Sequence, residues 1–148
     1  MIFVISGWFF DDLLEEMDRI APKLKEHVIA QIGNSKYIPK NMKWFRFHDS
    51  FYTYYKKSDV VISHYGAGTI FEVLRLGKKL ICIENPEMIR NPDIVDELSR
   101  LGYLMKCKNV RDLEACIKKS KNFKFKKYES PECKIPEKID EFVKNSGI

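Results

Sequence analysis

Apolar residues along this chain fall into two alternating patterns. Short apolar runs occur at Ile2–Ile5, Val60–Ile62, Leu80–Ile83 and Tyr103–Met105, and, with one polar residue inside each, at Val28–Ile32 and Trp44–Phe47. Runs this short, rich in β-branched and aromatic residues, predict strands buried on both faces, as in a parallel sheet. Between them, apolar residues recur at helical spacing: Leu13, Leu14, Met17 and Ile20; Phe51, Tyr54 and Tyr55; Ile70, Phe71, Val73, Leu74 and Leu76; Ile94, Val95, Leu98 and Leu101; Leu113, Cys116 and Ile117. A last amphipathic helix is expected near residues 136–143, carrying Ile139, Phe142 and Val143. It is too short to be stable alone, so it must pack on this domain or on another chain.

The punctuation agrees. Asp11 or Asp12 can cap the first helix and Pro22 closes it, while Gly33-Asn34-Ser35 reads as a turn. Asp49 or Ser50 can cap the second helix, and Gly77 supplies a left-handed stop for the third. Asn91-Pro92-Asp93 starts the fourth, Gly102 ends it, and Asn109 caps the fifth. Strand and helix in this alternation predict an α/β fold: a single doubly wound parallel-sheet (Rossmann-like) domain with helices on both faces. Residues 1–117 make up the α/β domain, and residues 118–148 a basic segment and the C-terminal helix.

The chain's 148 residues suit one domain, and 45% hydrophobic residues exclude a disordered chain. A net charge of +5 is compatible with anionic small ligands or a membrane surface, but no nucleic-acid motif accompanies it, so no nucleic-acid partner is expected. The four cysteines show neither a C-x-x-C pair nor zinc spacing, which favours buried thiols in a reducing compartment and no metal site. The first apolar run is too short for a membrane span and lacks the basic flank of a signal peptide, so a cytoplasmic protein is expected.

Candidate chemistry concentrates in residues 59–86, which read as strand, glycine loop, helix, strand. Gly66-Ala67-Gly68 begins like a dinucleotide fingerprint, yet Phe71 stands where the third glycine belongs, and the loop does not follow the first strand. The loop is either a phosphate cradle, where backbone amides and a helix terminus meet an anion, or a tight turn. Thr69-Ile70-Phe71-Glu72 fits a capping box, the residue-level reading of both Thr69 and Glu72; a ribose contact for Glu72 is the alternative. His64 could meet a phosphate or be structural, and His48 likewise follows a strand at the carboxyl edge. No nucleophile–base pair follows from spacing, so the catalytic residue is unknown. Lys118–Lys127 holds six lysines around Phe123 and Phe125: a solvated loop, or a surface for anionic lipid, with the rings meeting membrane or a partner.

Ile62-Ser63-His64-Tyr65-Gly66-Ala67-Gly68-Thr69, with Glu72 and Gly77 after it, resembles the I-S-H-x-G-A-G-[ST]-x-x-E block of the C-terminal domain of glycosyltransferase family 28. Other pieces are similar to that family too: Ile2–Gly7 with Phe10-Asp11-Asp12-Leu13, Gln31-x-Gly33 with Tyr37 and Pro39, Phe47, Asp59–Ser63, Asn85-Pro86 and Asn91. The resemblance covers roughly residues 1–117 and is greatest to the small stand-alone catalytic subunits of two-component enzymes. It implies the C-terminal half of a GT-B architecture and binding of a UDP-sugar donor, which is a substrate and not a cofactor. Gly66, Ala67, Gly68 and Thr69 would face the diphosphate with His64 beside it, and Glu72 would hold the ribose. Gly7 would close over the donor, the backbone at His48 would meet the uracil, and Asn91 would lie near the sugar.

Three residues depart from the pattern. Trp8 stands where the family usually has Thr, Tyr65 replaces a small residue and would crowd the loop, and Pro92-Asp93 replaces His-Gln near the sugar. The resemblance implies a donor-binding catalytic subunit that moves a sugar such as N-acetylglucosamine or galactose from UDP to a lipid-linked saccharide. A membrane-anchored subunit would bind the acceptor and hold the chain at the cytosolic membrane face, and the chain alone would be inactive. The rival reading is a nucleotide-binding accessory module without chemistry of its own.

Overall fold

A computed structural model describes residues 1–88 and 92–129. Six parallel strands, β1 (Ile2–Ile5), β2 (Val28–Gln31), β3 (Lys43–Phe45), β4 (Val60–Ser63), β5 (Lys79–Ile83) and β6 (Met105–Cys107), form one sheet in the order β3-β2-β1-β4-β5-β6. Helices α1 (Asp11–Ile20), α2 (Tyr52–Lys57), α3 (Ala67–Arg75), α4 (Asp93–Arg100) and α5 (Leu113–Asn122) cover it. This is the expected doubly wound fold. The strand order reverses between β1 and β4, and ligands bind at the carboxyl ends of strands at such a point.

Unbroken apolar strands follow from this layering. Ile2, Val4, Ala30, Ile62, Ile81 and Ile83 face α1 and α5, where they meet Leu13, Met17, Leu113 and Ile117. Phe3, Ile5, Val61, Leu80 and Cys82 face α2, α3 and α4 through Tyr55, Ile70, Phe71, Val95 and Leu98. Phe3, fully buried at the sheet centre, gathers Tyr54 at 5.0 Å, Phe51 at 5.6 Å, Tyr55 at 5.9 Å and Phe45 at 6.2 Å between ring centroids. Cys82, Cys107 and Cys116 are free thiols, and burial pushes the Cys82 thiol well up. Among the described residues no helix is long and apolar enough to cross a membrane.

Several local expectations need correction. Phe10, with no side-chain cap bond, precedes α1; Asp11 instead accepts the Tyr37 N–H at 2.6 Å, and the Phe10 N–H donates to Ser35 Oγ at 2.9 Å. Pro22 sits inside a 3-10 turn, Ala21–Lys23, that prolongs α1. Strand β3 starts and ends earlier than the Trp44–Phe47 run, and β6 is displaced to Met105–Cys107, so pairing with β2 and β5 decides the limits. Ser50 Oγ accepts the Tyr52 N–H at 3.2 Å, although Phe51 holds the cap position of α2. Gly77 and Gly102 do end α3 and α4, at φ 68° and 85°, whereas Asn109 caps the 3-10 turn Val110–Asp112 by accepting the Arg111 N–H at 3.0 Å, and Asp112 holds the cap position of α5.

Helix α5 runs across residues 117 and 118. Beyond it, Phe123 and Phe125 meet edge to face at 4.8 Å and, half-buried, pack on the α1–α5 side of the core. Tyr128 is buried against Phe71 and Tyr103. All six lysines of the segment are exposed, and Lys121 pairs with Glu26 at 3.0 Å. Asn91 and the helix expected near residues 136–143 lie outside the described residues.

Asp18 anchors the connection from β2 to β3. This buried carboxylate accepts the Tyr37 hydroxyl at 2.6 Å and the N–H groups of Asn41 at 2.6 Å and Lys40 at 3.0 Å. Burial works to raise its pKa, but these hydrogen bonds outweigh burial and hold the carboxyl below its ordinary range. The same bond pushes the Tyr37 hydroxyl up to about 12. A depressed folded pKa stabilises above the unfolded value of about 3.9, and the contribution fades as pH falls through the folded value. Asp18→Asn, which turns an amide group toward these donors, should cost about 1–3 kcal/mol at pH 7. Urea unfolding of both proteins at pH 7 and below pH 4 should show that difference narrowing in acid.

Candidate functional site

Strand β1 ends at Ile5 and leads into Ser6 and Gly7, and β4 ends at Ser63 and leads into His64, side by side at the reversal point. Gly7 has φ +72°, and a Cβ placed there would lie 2.4 Å from His64 Nε2. Gly66 has an ordinary backbone, φ −84°, but a Cβ there would lie 2.7 Å from His64 Cε1. The largely buried imidazole therefore fills the space that both glycines leave open. This is a packing reason for Gly66 beside the phosphate one.

The loop after β1 is fastened from below. Buried Gln31 accepts the Gly7 N–H at 3.1 Å and donates from Nε2 to Gly7 O and Arg46 O, each at 3.0 Å. Asn34 N–H donates to Trp8 O at 2.7 Å, and Asn85 Nδ2 to Phe9 O at 2.7 Å. Gly33, at φ +57°, lies so close that a Cβ would stand 2.3 Å from Gly7 O. The sequence placed Gln31 in the second strand and Gly33 in the turn after it, but not their link to Gly7, because the clamp they form joins residues of different strands.

Helix α3 begins within the glycine loop, so Ala67, Gly68 and Thr69 are helical and do not form a tight turn, the second of the two readings of this loop. Gly66 precedes it with no side-chain cap bond, and the first helical bond runs from Ile70 N–H to Gly66 O at 3.0 Å. The amides of Ala67, Gly68 and Thr69 come before that bond, at the positive end of the helix dipole. The capping box does not form, because Thr69 lies inside the first turn. Thr69 instead lies beside the Tyr55 hydroxyl, which donates to Glu72 Oε2 at 3.1 Å. Burial first, and then Glu72, pushes the Tyr55 hydroxyl well up.

This chain opens on a cavity of about 580 Å³ between α2 and α3, whose lining includes His48, Ser50, Tyr55, Thr69, Glu72 and Arg75. The volume is that of a small-molecule site. His48 stands at its rim, its ring edge-on to Phe45 and Tyr54 at 5.9 and 5.7 Å and its Nδ1 accepting the Ser50 N–H at 3.3 Å. The structure thus brings His48, Thr69 and Glu72 to one cavity, and Gly7, His64 and Gly66 to one contact. Tyr55 was legible only as a core position on α2, since nothing local marks its hydroxyl for Glu72. Tyr65 points away from the loop into the α3–α4 core, so it does not crowd the loop.

Gly66→Ala tests the imidazole contact. It should destabilise the protein by about 1–3 kcal/mol, as overpacking does, and become nearly neutral in a His64→Ala background. Gly7→Ala should keep a penalty of about 1–2 kcal/mol in that background, because its positive φ persists. A double-mutant cycle by urea unfolding measures both.

Comparison with known proteins follows this geometry. The model of the glycosyltransferase family 28 C-terminal domain matches residues 1–145. Human UDP-N-acetylglucosamine transferase subunit ALG13 is 30% identical over 122 residues, 72% of this chain and 11% of that protein. The subunit of the same name from Debaryomyces hansenii is 32% identical over 102 residues, 68% of this chain and 48% of that protein. The chain therefore spans about half or less of these curated relatives. In fold it is similar to the NMR solution structure of ALG13, with TM-score 0.65, 21% identity, and 96% of this chain and 94% of that one covered. Acinetobacter baumannii MurG also gives TM-score 0.65, at 16% identity over 80% of this chain and 39% of that one. A match from residue 1 to residue 145, over a sheet whose reversal point carries the His64–Glu72 block, means that the chain belongs to glycosyltransferase family 28 as a C-terminal domain.

Proposed function

We propose that the domain binds a UDP-sugar and is the donor-binding catalytic subunit of a two-component glycosyltransferase. The observation that carries the reading is the Tyr55–Glu72 hydrogen bond at the cavity wall, with Thr69 in the same lining, beside the start of α3. Tyr55 engages Oε2 of Glu72, and a ribose hydroxyl would donate to Oε1. The uridine would occupy the cavity with the backbone at His48 meeting its uracil edge. The diphosphate would lie over the amides of Ala67, Gly68 and Thr69, flanked by His64 and covered by the Gly7 loop. Asn91 would approach the sugar.

Catalysis on this reading rests on holding the donor and stabilising the departing UDP with amide donors and a helix terminus, both fixed before reaction. The relatives' name, a UDP-N-acetylglucosamine transferase subunit, supports N-acetylglucosamine as the sugar and a second subunit as the partner. That partner would be membrane-anchored and present a lipid-linked saccharide, keeping this chain peripheral at the cytosolic face.

Calorimetry with UDP, UDP-N-acetylglucosamine and NAD tests the donor site. UDP should bind and NAD should not; no heat with millimolar UDP sinks the reading. Glu72→Gln should weaken UDP about tenfold or more, the loss of a charged hydrogen bond. Its melting temperature should stay unchanged because Glu72 is exposed. Co-expression with a membrane-anchored partner and a radiolabelled UDP-sugar should give transfer that either chain alone lacks. UDP binding without transfer in any such pair would leave an accessory module.

A further inference from the structure

The donor reading leaves two exposed rings at the same edge without a task. Trp8 and Phe47 are 59% and 56% exposed, with centroids 6.0 Å apart and planes at 48°, an open wedge of two aromatic faces. The backbone beneath them is held rigidly. Gly7 carries both Gln31 bonds, Trp8 O accepts from Asn34, Phe9 O from Asn85, and the Phe10 N–H is taken by Ser35. Large apolar rings on a loop already ordered by buried polar groups form a preorganised contact surface, because little conformational freedom is left to lose on binding.

The surroundings specify what would sit there. Trp8 follows Gly7 and Phe47 precedes His48, so each ring adjoins a residue that borders the candidate donor site. Asn34, whose N–H bonds Trp8 O, and Arg46 and His48, which flank Phe47, are their exposed polar neighbours. Two rings among charged groups fall far short of the roughly 800 Å² per partner that a stable protein interface buries. A pyranose ring matches the surface: its C–H face lies flat on an aromatic ring while its hydroxyls reach polar groups at the rim.

We propose that Trp8 and Phe47 form a saccharide-stacking platform that holds a pyranose ring of the acceptor beside the donor site. Its acceptor role rests on the donor reading above; its binding of sugar does not. In a Trp44→Phe protein Trp8 is the single tryptophan, and its fluorescence reports the platform. Titration with N,N′-diacetylchitobiose, lactose and maltose, with and without UDP, should give a saturable blue shift for at least one disaccharide. Trp8→Thr should weaken that disaccharide about tenfold by saturation-transfer NMR, the scale of one aromatic contact. Its UDP affinity and melting temperature should not change, since the indole projects into solvent.

No response to any of the three disaccharides overturns the proposal. So does a Trp8 shift on phosphatidylcholine vesicles without a sugar response, which would make the rings a lipid contact. A Trp8-dependent dimer in sedimentation would assign them to self-association, and parallel loss of UDP in Trp8→Thr would place the indole in the donor site. If UDP fails to bind while the disaccharide shift persists, the donor reading falls and the platform stands.

Discussion

The His64 imidazole sits where a Cβ on Gly7 or Gly66 would have to go, and the candidate site is built around that contact. It joins the ends of β1 and β4, the two strands between which the sheet reverses direction. With the ring in place, Gly7 turns through positive φ, Gln31 grips both of its peptide groups, and Gly66 leads into α3 with no side chain over the helix start. One packing contact thus sets the loop after the first strand and brings Gly66, which makes no side-chain cap bond, to the start of the third helix. A glycine that reads as a concession to phosphate also serves a neighbouring side chain.

Below this edge, the sheet supplies rigidity by aromatic packing. Phe3 gathers rings from β3 and α2, and the same helix carries Tyr55 to Glu72. The wall of the cavity is thereby coupled to the core. Tyr55 is buried among the Phe3 cluster while its hydroxyl reaches the surface carboxylate. On the other face, Asp18 does similar work with a charge, drawing the Tyr37–Asn41 segment onto α1 by hydrogen bonds that overcome the cost of burying a carboxylate.

The carboxyl edge then presents two chemically different surfaces. Between α2 and α3 lie a carboxylate, a phenol and a helix start, suited to a nucleotide's hydroxyls and phosphates. Outside the Gly7 loop lie an indole and a phenyl ring, suited to the C–H face of a sugar. A transferase must bring those two kinds of ligand together.

Strand and helix alternation, and hence the α/β class and the doubly wound sheet, was legible in the sequence because a strand buried on both faces must be apolar throughout while a covering helix needs only one stripe. The left-handed stops at Gly77 and Gly102 were legible for a local reason, since glycine adopts that backbone without steric penalty. The His64–Glu72 block pointed to its family through residue identity alone. Local pattern failed where a distant partner competes: Thr69-x-x-Glu72 spells a capping box, yet Glu72 accepts from Tyr55 of another helix and Gly66 holds the cap position. Asp11 likewise reads as a cap and bonds Tyr37 instead. Only the tertiary structure decided that Gly66 makes room for His64, that Gln31 holds Gly7, and that Trp8 and Phe47 meet in solvent, because each joins residues that the chain order keeps apart.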